Sequence, residues 1–348
     1  MPGRTLFFRY LALVVLLCVA IFASLLLGRE SLVWGDLLRA WQRGENAGTY
    51  PALNILLMQR LPRTAAALFA GGGLAVIGAV FQVLLRNPLA TPYTLGVSNA
   101  AALGAWGTLL LTDALMPSLQ DHLPYLDKVA AFTLAGTHVL LLLILVLHRR
   151  FAPELLLLSG VTLGMLCNAG IMFTRYLARP DRLVNMDRWM MGGVDVIGYR
   201  PVWLLACGVI PAFFTAMVYA RSLDQFAFDP DVAAGRGVSV RAMYAWLFAV
   251  ASLAVAVIVS EVGPIGFVGL VVPHVMRAWL GSRHTALFIG CILGGGLFLL
   301  ACDIAGRLLM PGEVPIGIIT TLLGAPYFLY LLLSRGHRVW GETRRAGG

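Results

Sequence analysis

The chain has 348 residues, of which 59% are hydrophobic and 12% charged, with a formal net charge of +9. A water-soluble chain of this length cannot hide so much apolar surface in one core, so composition points to a polytopic membrane protein, read as a single transmembrane domain over 1–348. The basic residues collect in short segments at span ends, where they orient a membrane protein, and this excludes a nucleic-acid reading of the charge.

Apolar length and periodicity predict an all-α fold with ten spans: 8–27, 64–85, 94–111, 129–148, 155–175, 201–220, 242–260, 264–280, 285–304 and 315–334. The first follows Arg4 and Arg9 and reads as a retained helix with its basic end in the cytoplasm, not a cleaved signal. Residues 28–59 hold Trp34, Leu37, Leu38 and Trp41 at helical spacing, which predicts a helix lying in the outer interface. The second span is framed by Arg-Leu-Pro-Arg (60–63) and Arg-Asn-Pro-Leu-Ala-Thr-Pro (86–92). An anchor needs neither a pair of arginines nor a stiff double-proline turn, so both ends are read as meeting partners and the span as one wall of a conduit. Residues 176–200 predict a further short surface helix.

The chief inner loop is 221–241. Asp229-Pro230-Asp231 is a helix start: a capping carboxylate, a proline at the first helical position and an acid near the positive helix end. Gly235 and Gly237 stop that helix early. A short cytoplasmic helix results, within a segment of about 222–240, and it needs something to pack against. With the N-terminus inside, a slim majority of the 26 basic residues lies on the inner side, and ten spans return the C-terminus to that side. GAVFQVLLRNP and GPIGFVGLVVPHVMR form a faint internal echo, too weak to establish a duplication.

Several chemistries are missing. Lys128, the only lysine, follows Asp127, so the chain has no P-loop of its own; nor has it HExxH, GxSxG or paired-cysteine spacing. His138 lies mid-span without a second ligand and reads as a satisfied core histidine. Glu261 and Asp303 fall near outer span ends and read as structural pairs. The cysteines 18, 167, 207, 291 and 302 read as inert buried thiols. Met190-Met191 reads as packing. An ion-coupled secondary carrier would need essential buried acids, and an intramembrane enzyme would need a catalytic pair. The residues describe a conduit whose energy comes from elsewhere.

Seven segments, in order, resemble the permease subunit of type II ABC importers, the FecCD-like family that imports ferric siderophores, haem and cobalamin. They are RLPRTAAALFAGGGLAVIGAVFQ, RNPLATPYTLGVSNAAALGAW, LLLLSGVTLG, RWMMGG, AAGRGVSV, GPIGFVGLVVPHVMR and VPIGIITTLLGAPYFLYLL. The resemblance implies ten helices per subunit, no catalysis by this chain, and a homodimer in a bacterial inner membrane. It implies two ATPase subunits holding ATP and Mg, and a periplasmic binding protein that delivers the substrate, a ferric siderophore or haem, with cobalamin as the alternative. By position it assigns Arg60, Arg63 and Arg307 to docking of the binding protein, and Asn87 and Leu89 to a cytoplasmic gate. It assigns the helix from Pro230, with Asp229, Asp231, Ala233, Ala234 and Gly237, to the ATPase. Two departures stand out: Arg236 where relatives carry Leu, and Pro153 and Glu154 where a second gate uses small hydroxyl residues. On this reading Arg60 and Arg63 can be reversed to Glu with loss of docking and uptake but not of the folded dimer.

Overall fold

The structure is a computed structural model and describes residues 2–28, 51–115, 125–148, 153–309 and 313–345. Among these there is no strand. In chain order the helices are α1 (Pro2–Leu26), α2 (Pro51–Asn54), a π-helical turn Ile55–Arg60 that runs on into α3 (Leu61–Leu84), α4 (Val97–Leu115) and α5 (Leu126–His148). Then come α6 (Pro153–Leu177), α7 (Pro180–Met190), α8 (Arg200–Val218), α9 (Ala220–Phe228) and α10 (Pro230–Gly235). The last four are α11 (Val240–Val262), α12 (Val268–Leu280), α13 (His284–Leu309) and α14 (Ile316–Arg345). Seven helical stretches are long and apolar enough to cross a membrane, and three shorter apolar helices, in α4, α12 and α14, bring the described spans to the ten expected. The surface helix expected in 176–200 is α7. Most of the 28–59 segment, with its tryptophans, lies outside the described residues.

Helix α3 is the post around which the rest is built. Nearly all of its side chains from Pro62 to Leu84 are buried, and α1, α8, α11, α12 and α13 all pack on it. A post surrounded on all sides needs a small surface, and LFAGGGLAVIGAV supplies one. Gly71 and Gly295 of α13 face each other so closely that a Cβ on either would run into the other's carbonyl oxygen. With lipid as the alternative solvent, such backbone contact replaces the hydrophobic drive that water would supply. At Gly78 the post meets Gly269 of α12, where a Cβ would lie 2.5 Å from the Gly269 Cα. The two echoing segments therefore touch. Gln82 completes that crossing: its Nε2 donates to the Gly269 carbonyl (3.3 Å), and its Oε1 accepts from both terminal nitrogens of Arg277 (3.3 Å each).

The second span is thus the core of the subunit, and the expectation that it forms a wall of the conduit is corrected. Its glycines admit neighbours on several sides. The outward layer is α1 and α6. Very little of helix α1 is buried, and α6, packed mainly on α4, exposes Leu158, Met165, Leu166, Met172, Phe173 and Tyr176 along one face. All five cysteines are free, but only Cys291 and Cys302 are buried; Cys18 and Cys207 are exposed, against the expectation of five buried thiols. His138 is the satisfied core histidine expected, its Nε2 donating to the Leu95 carbonyl at 2.8 Å. Glu261 pairs with Lys128 at 2.7 Å.

Candidate functional site

Three regions concentrate polar or open structure: an arginine cluster at one end of the bundle, a short helix at the other, and a cavity between.

At the first end, the π-helical turn makes the entry to α3 a continuous helix, so Arg60 and Arg63 project from a helix and not from a loop. Arg60 is buried and its Nη1 donates to the Leu25 and Leu26 carbonyls (2.7 and 2.9 Å). Arg307 is buried as well. Its Nη1 reaches the carbonyls of Ser24 and Leu27, and its Nη2 the Ser24 hydroxyl and Asp303 (both 2.8 Å). Both arginines therefore satisfy carbonyls that the last turn of α1 leaves without helical partners, at the end where the helix dipole favours cations. The Ser24 and Thr64 hydroxyls bond at 2.8 Å and close α1 onto α3.

Arg63 sits among acids. Its Nε and Nη2 each lie 2.9 Å from Oδ1 of Asp303, which is completely buried. Its Nη1 lies 2.9 Å from Asp195 in the turn after α7 and 3.0 Å from Glu313 before α14. The three arginines predicted for docking are brought together, but turned inward with partners in their own chain. A glutamate at 63 would face Asp303, Asp195 and Glu313, so the expectation that Arg60 and Arg63 can be reversed without harm to the fold is corrected. Asp303 is the structural pair expected of it, but its arginine partners were not foreseen, and Asp195 and Glu313 were missed because they lie far along the chain and no local pattern marks them.

At the opposite end, α10 has the caps its sequence announces. Asp229 is extended (φ −161°) and its Oδ1 accepts from the amides of Asp231 (2.7 Å) and Val232 (3.3 Å), with Pro230 at the first turn. The helix ends in a Schellman pattern: Val238 N–H donates to the Ala233 carbonyl (3.1 Å) and Gly237 N–H to that of Ala234 (3.0 Å). This closure needs a left-handed residue, and Gly237 supplies it at φ +85°. Ala233 is buried, whereas Asp231, Val232, Ala234 and Arg236 are exposed. Arg236 takes no part in the packing of this helix on its own chain. Replacing Asp229 by Ala is expected to cost about 1 kcal/mol, local to α10. Hydrogen exchange at the Asp231 and Val232 amides, compared with the wild type, measures it. Helix α9 is fastened separately. Asp224 accepts from the backbone N–H of His284 (2.9 Å) and from its Nδ1 (2.5 Å), so a side chain of α9 caps the start of α13.

Between the ends lies a cavity of about 740 Å³. It is bordered by Leu89 and Tyr93 near the inner turn, by Met190 and Met191 at the end of α7, and by Phe267 and α14. Thr91, Thr94 and Thr321 bring hydroxyls, and none of the described lining residues is charged. Of the two residues predicted for a gate, Leu89 is 40% exposed and borders the cavity. Asn87 does not line it; its Oδ1 accepts from the Leu89 amide (2.9 Å) and so sets the turn that presents Leu89. Phe267 has left-handed backbone (φ +66°) at the start of α12, uncommon for a bulky residue. GPIGF carried no sequence signal for that strain. Met190 also receives the Trp106 indole N–H at Sδ (3.2 Å), which fits its reading as a packing residue.

The FecCD transport family matches residues 16–334. The chain is 36% identical to the vitamin B12 import system permease protein BtuC of Escherichia coli O6:H1 over 329 residues, 94% of this chain and 95% of that one. It is equally identical to the BtuC of Shigella flexneri over 332 residues, with the same coverage. Among solved structures it resembles a metal-chelate type ABC transporter in an inward-facing conformation, with TM-score 0.78, 26% identity, and 96% of this chain and 99% of that chain covered. It shares the fold of PsaBC from Streptococcus pneumoniae at TM-score 0.52 and 16% identity, covering 78% of this chain and 90% of that one. A ten-span all-α subunit, matched over almost its whole length, belongs to the FecCD transport family and is a permease of an ABC importer.

Proposed function

We propose that this permease carries a large metal chelate of the corrinoid class from periplasm to cytoplasm, as one of two copies in a bacterial inner membrane with both termini cytoplasmic. Among the chelates of the family, the relatives named for vitamin B12 favour a corrinoid over a ferric siderophore or haem. The observation that carries the reading is the uncharged cavity bordered by Leu89. Thioethers, aromatic faces and hydroxyls can pass a bulky ligand without holding it by charge or by metal coordination. Selection then belongs to a binding protein. Energy belongs to a separate ATPase pair that holds ATP and Mg, since the chain has no P-loop. In this scheme α10 and its flanks, 229–237, seat on the ATPase, Asn87 and Leu89 form the inner gate, and the cluster of Arg60, Arg63 and Arg307 lies under the docking surface for the binding protein. Closure of the ATPase dimer shifts access from one side to the other, a two-state equilibrium biased by a ligand.

The test is reconstitution in liposomes with the ATPase and binding protein encoded beside this chain. ATP-driven uptake of labelled cyanocobalamin, with haem and a ferric siderophore excluded, is the expected result. Uptake of either of those with cobalamin refused would overturn the substrate. Replacing 230–236 by a Gly/Ser linker is expected to reduce uptake at least ~100-fold, which a coupling loss of about 2.7 kcal/mol produces; normal uptake in that variant would remove α10 from the ATPase contact.

A further inference from the structure

Arg63 is held by two kinds of contact. Asp303 is completely buried and takes Nε and Nη2. That pair is the firmer one, because Asp303 has no access to water. Asp195 and Glu313 are different. Both converge on the single nitrogen Nη1, at 2.9 and 3.0 Å, with side chains 49% and 23% exposed. Two like charges sharing one donor repel, and exposed ion pairs are worth little, typically under about 1 kcal/mol. Three carboxylates already crowd Arg63, two of them on Nη1, so a further acid reaching that nitrogen meets like charge unless Asp195 or Glu313 withdraws. Arg188, 3.9 Å from Asp195, offers that carboxylate another place to go.

These two acids also sit on the segments that border the cavity at this end. Asp195 lies four residues beyond Met191, and Glu313 precedes Gly317 and Ile318, all three cavity-lining residues. The segments touch directly, Gly317 N–H donating to the Gly192 carbonyl at 3.4 Å. Arg63 Nη1 thus draws together two strips of chain that border one mouth.

We infer that Asp195 and Glu313 form an exchangeable latch: they compete with a carboxylate of the incoming binding protein for Nη1 of Arg63, and their release frees the 191–199 turn and the start of α14. This rests on the reading that a binding protein docks at this end. The latch is opposite in sign to a structural role. If the two acids only stabilised the docking surface, neutralising them would weaken docking; as competitors, their loss tightens it.

The experiment uses the full permease–ATPase complex in nanodiscs, with Asp195→Asn, Glu313→Gln and the double variant, and the cognate binding protein without substrate as probe. The double variant is expected to bind the binding protein about 3–10-fold more tightly, and Asp195→Asn alone severalfold. A spin-label pair on residues 197 and 318 is expected to widen on docking in the wild type and to be widened already in the double variant. Unchanged or weaker docking by a double variant that elutes as an intact complex overturns the latch. Should the double variant misfold, the same comparison is read from Asp195→Asn, whose side chain is half exposed. Absence of any docking by the wild type instead overturns the docking reading, and the latch with it.

Discussion

Replacing Asp303 by alanine is expected to lower the stability of the permease by about 3–5 kcal/mol, the cost of removing one partner from a buried charge cluster. Asp303 is completely buried and contacts both Arg63 and Arg307. Without it, two guanidiniums in low-dielectric surroundings are left with the more exposed Asp195 and Glu313. Arg307 would also lose the contact that orients it toward the last carbonyls of α1, so the loss is expected to include detachment of that helix. Asp303→Asn keeps the volume and one acceptor but not the charge, and is expected to lose less. Thermal unfolding of detergent-solubilised protein reads both, with a fall of roughly 10 °C for the alanine variant. A shift under about 2 °C would mean that the cluster carries no net stability.

The second large effect is steric. Gly78→Ala adds one methyl where α3 crosses α12, and that methyl would lie 2.5 Å from the Gly269 Cα and 2.6 Å from its carbonyl carbon. The obstacle is backbone, which cannot rotate away as a flexible side chain can. Overpacking of this kind costs about 1–3 kcal/mol, and against backbone the upper end is expected, at the crossing that Gln82 and Arg277 also hold. Gly107→Ala in α4 is the matched control. A Cβ there meets nothing within 4 Å, so the substitution is expected to be neutral or to stabilise by up to about 1 kcal/mol through helix propensity. The two variants are compared by monodisperse yield and melting temperature. Equal behaviour of the pair would refute the close contact at Gly78.

What could be read from the sequence was local in character. A run such as 64–85 must be helical and buried from water whatever surrounds it, so the ten spans were legible. So was α10, because Asp229, Pro230 and Gly237 act on backbone groups within four residues of themselves. What was not legible depended on partners far along the chain. Nothing near Arg63 announces Asp195, Asp303 or Glu313, and so three arginines read as outward-facing are turned inward. A glycine run shows that something comes close without saying what, and so α3 read as a wall when it is a post. Leu89 was singled out for a gate, and the cavity it borders draws on 190–191, 264–270 and 317–328, which meet only in the fold.

The Asp224–His284 contact has a mechanical consequence. Helix α13, 26 residues from His284 to Leu309, is about 39 Å long at 1.5 Å per residue. It is gripped at its first turn by α9 and carries Asp303 and Arg307 at the other end. Its middle lies backbone to backbone on α3 at Gly71 and Gly295, so it has little room to bend or slide there. A pull on α9 must therefore either tear Asp224 from the helix start or swing the whole rod, moving the arginine cluster at the far end without crossing the cavity at all.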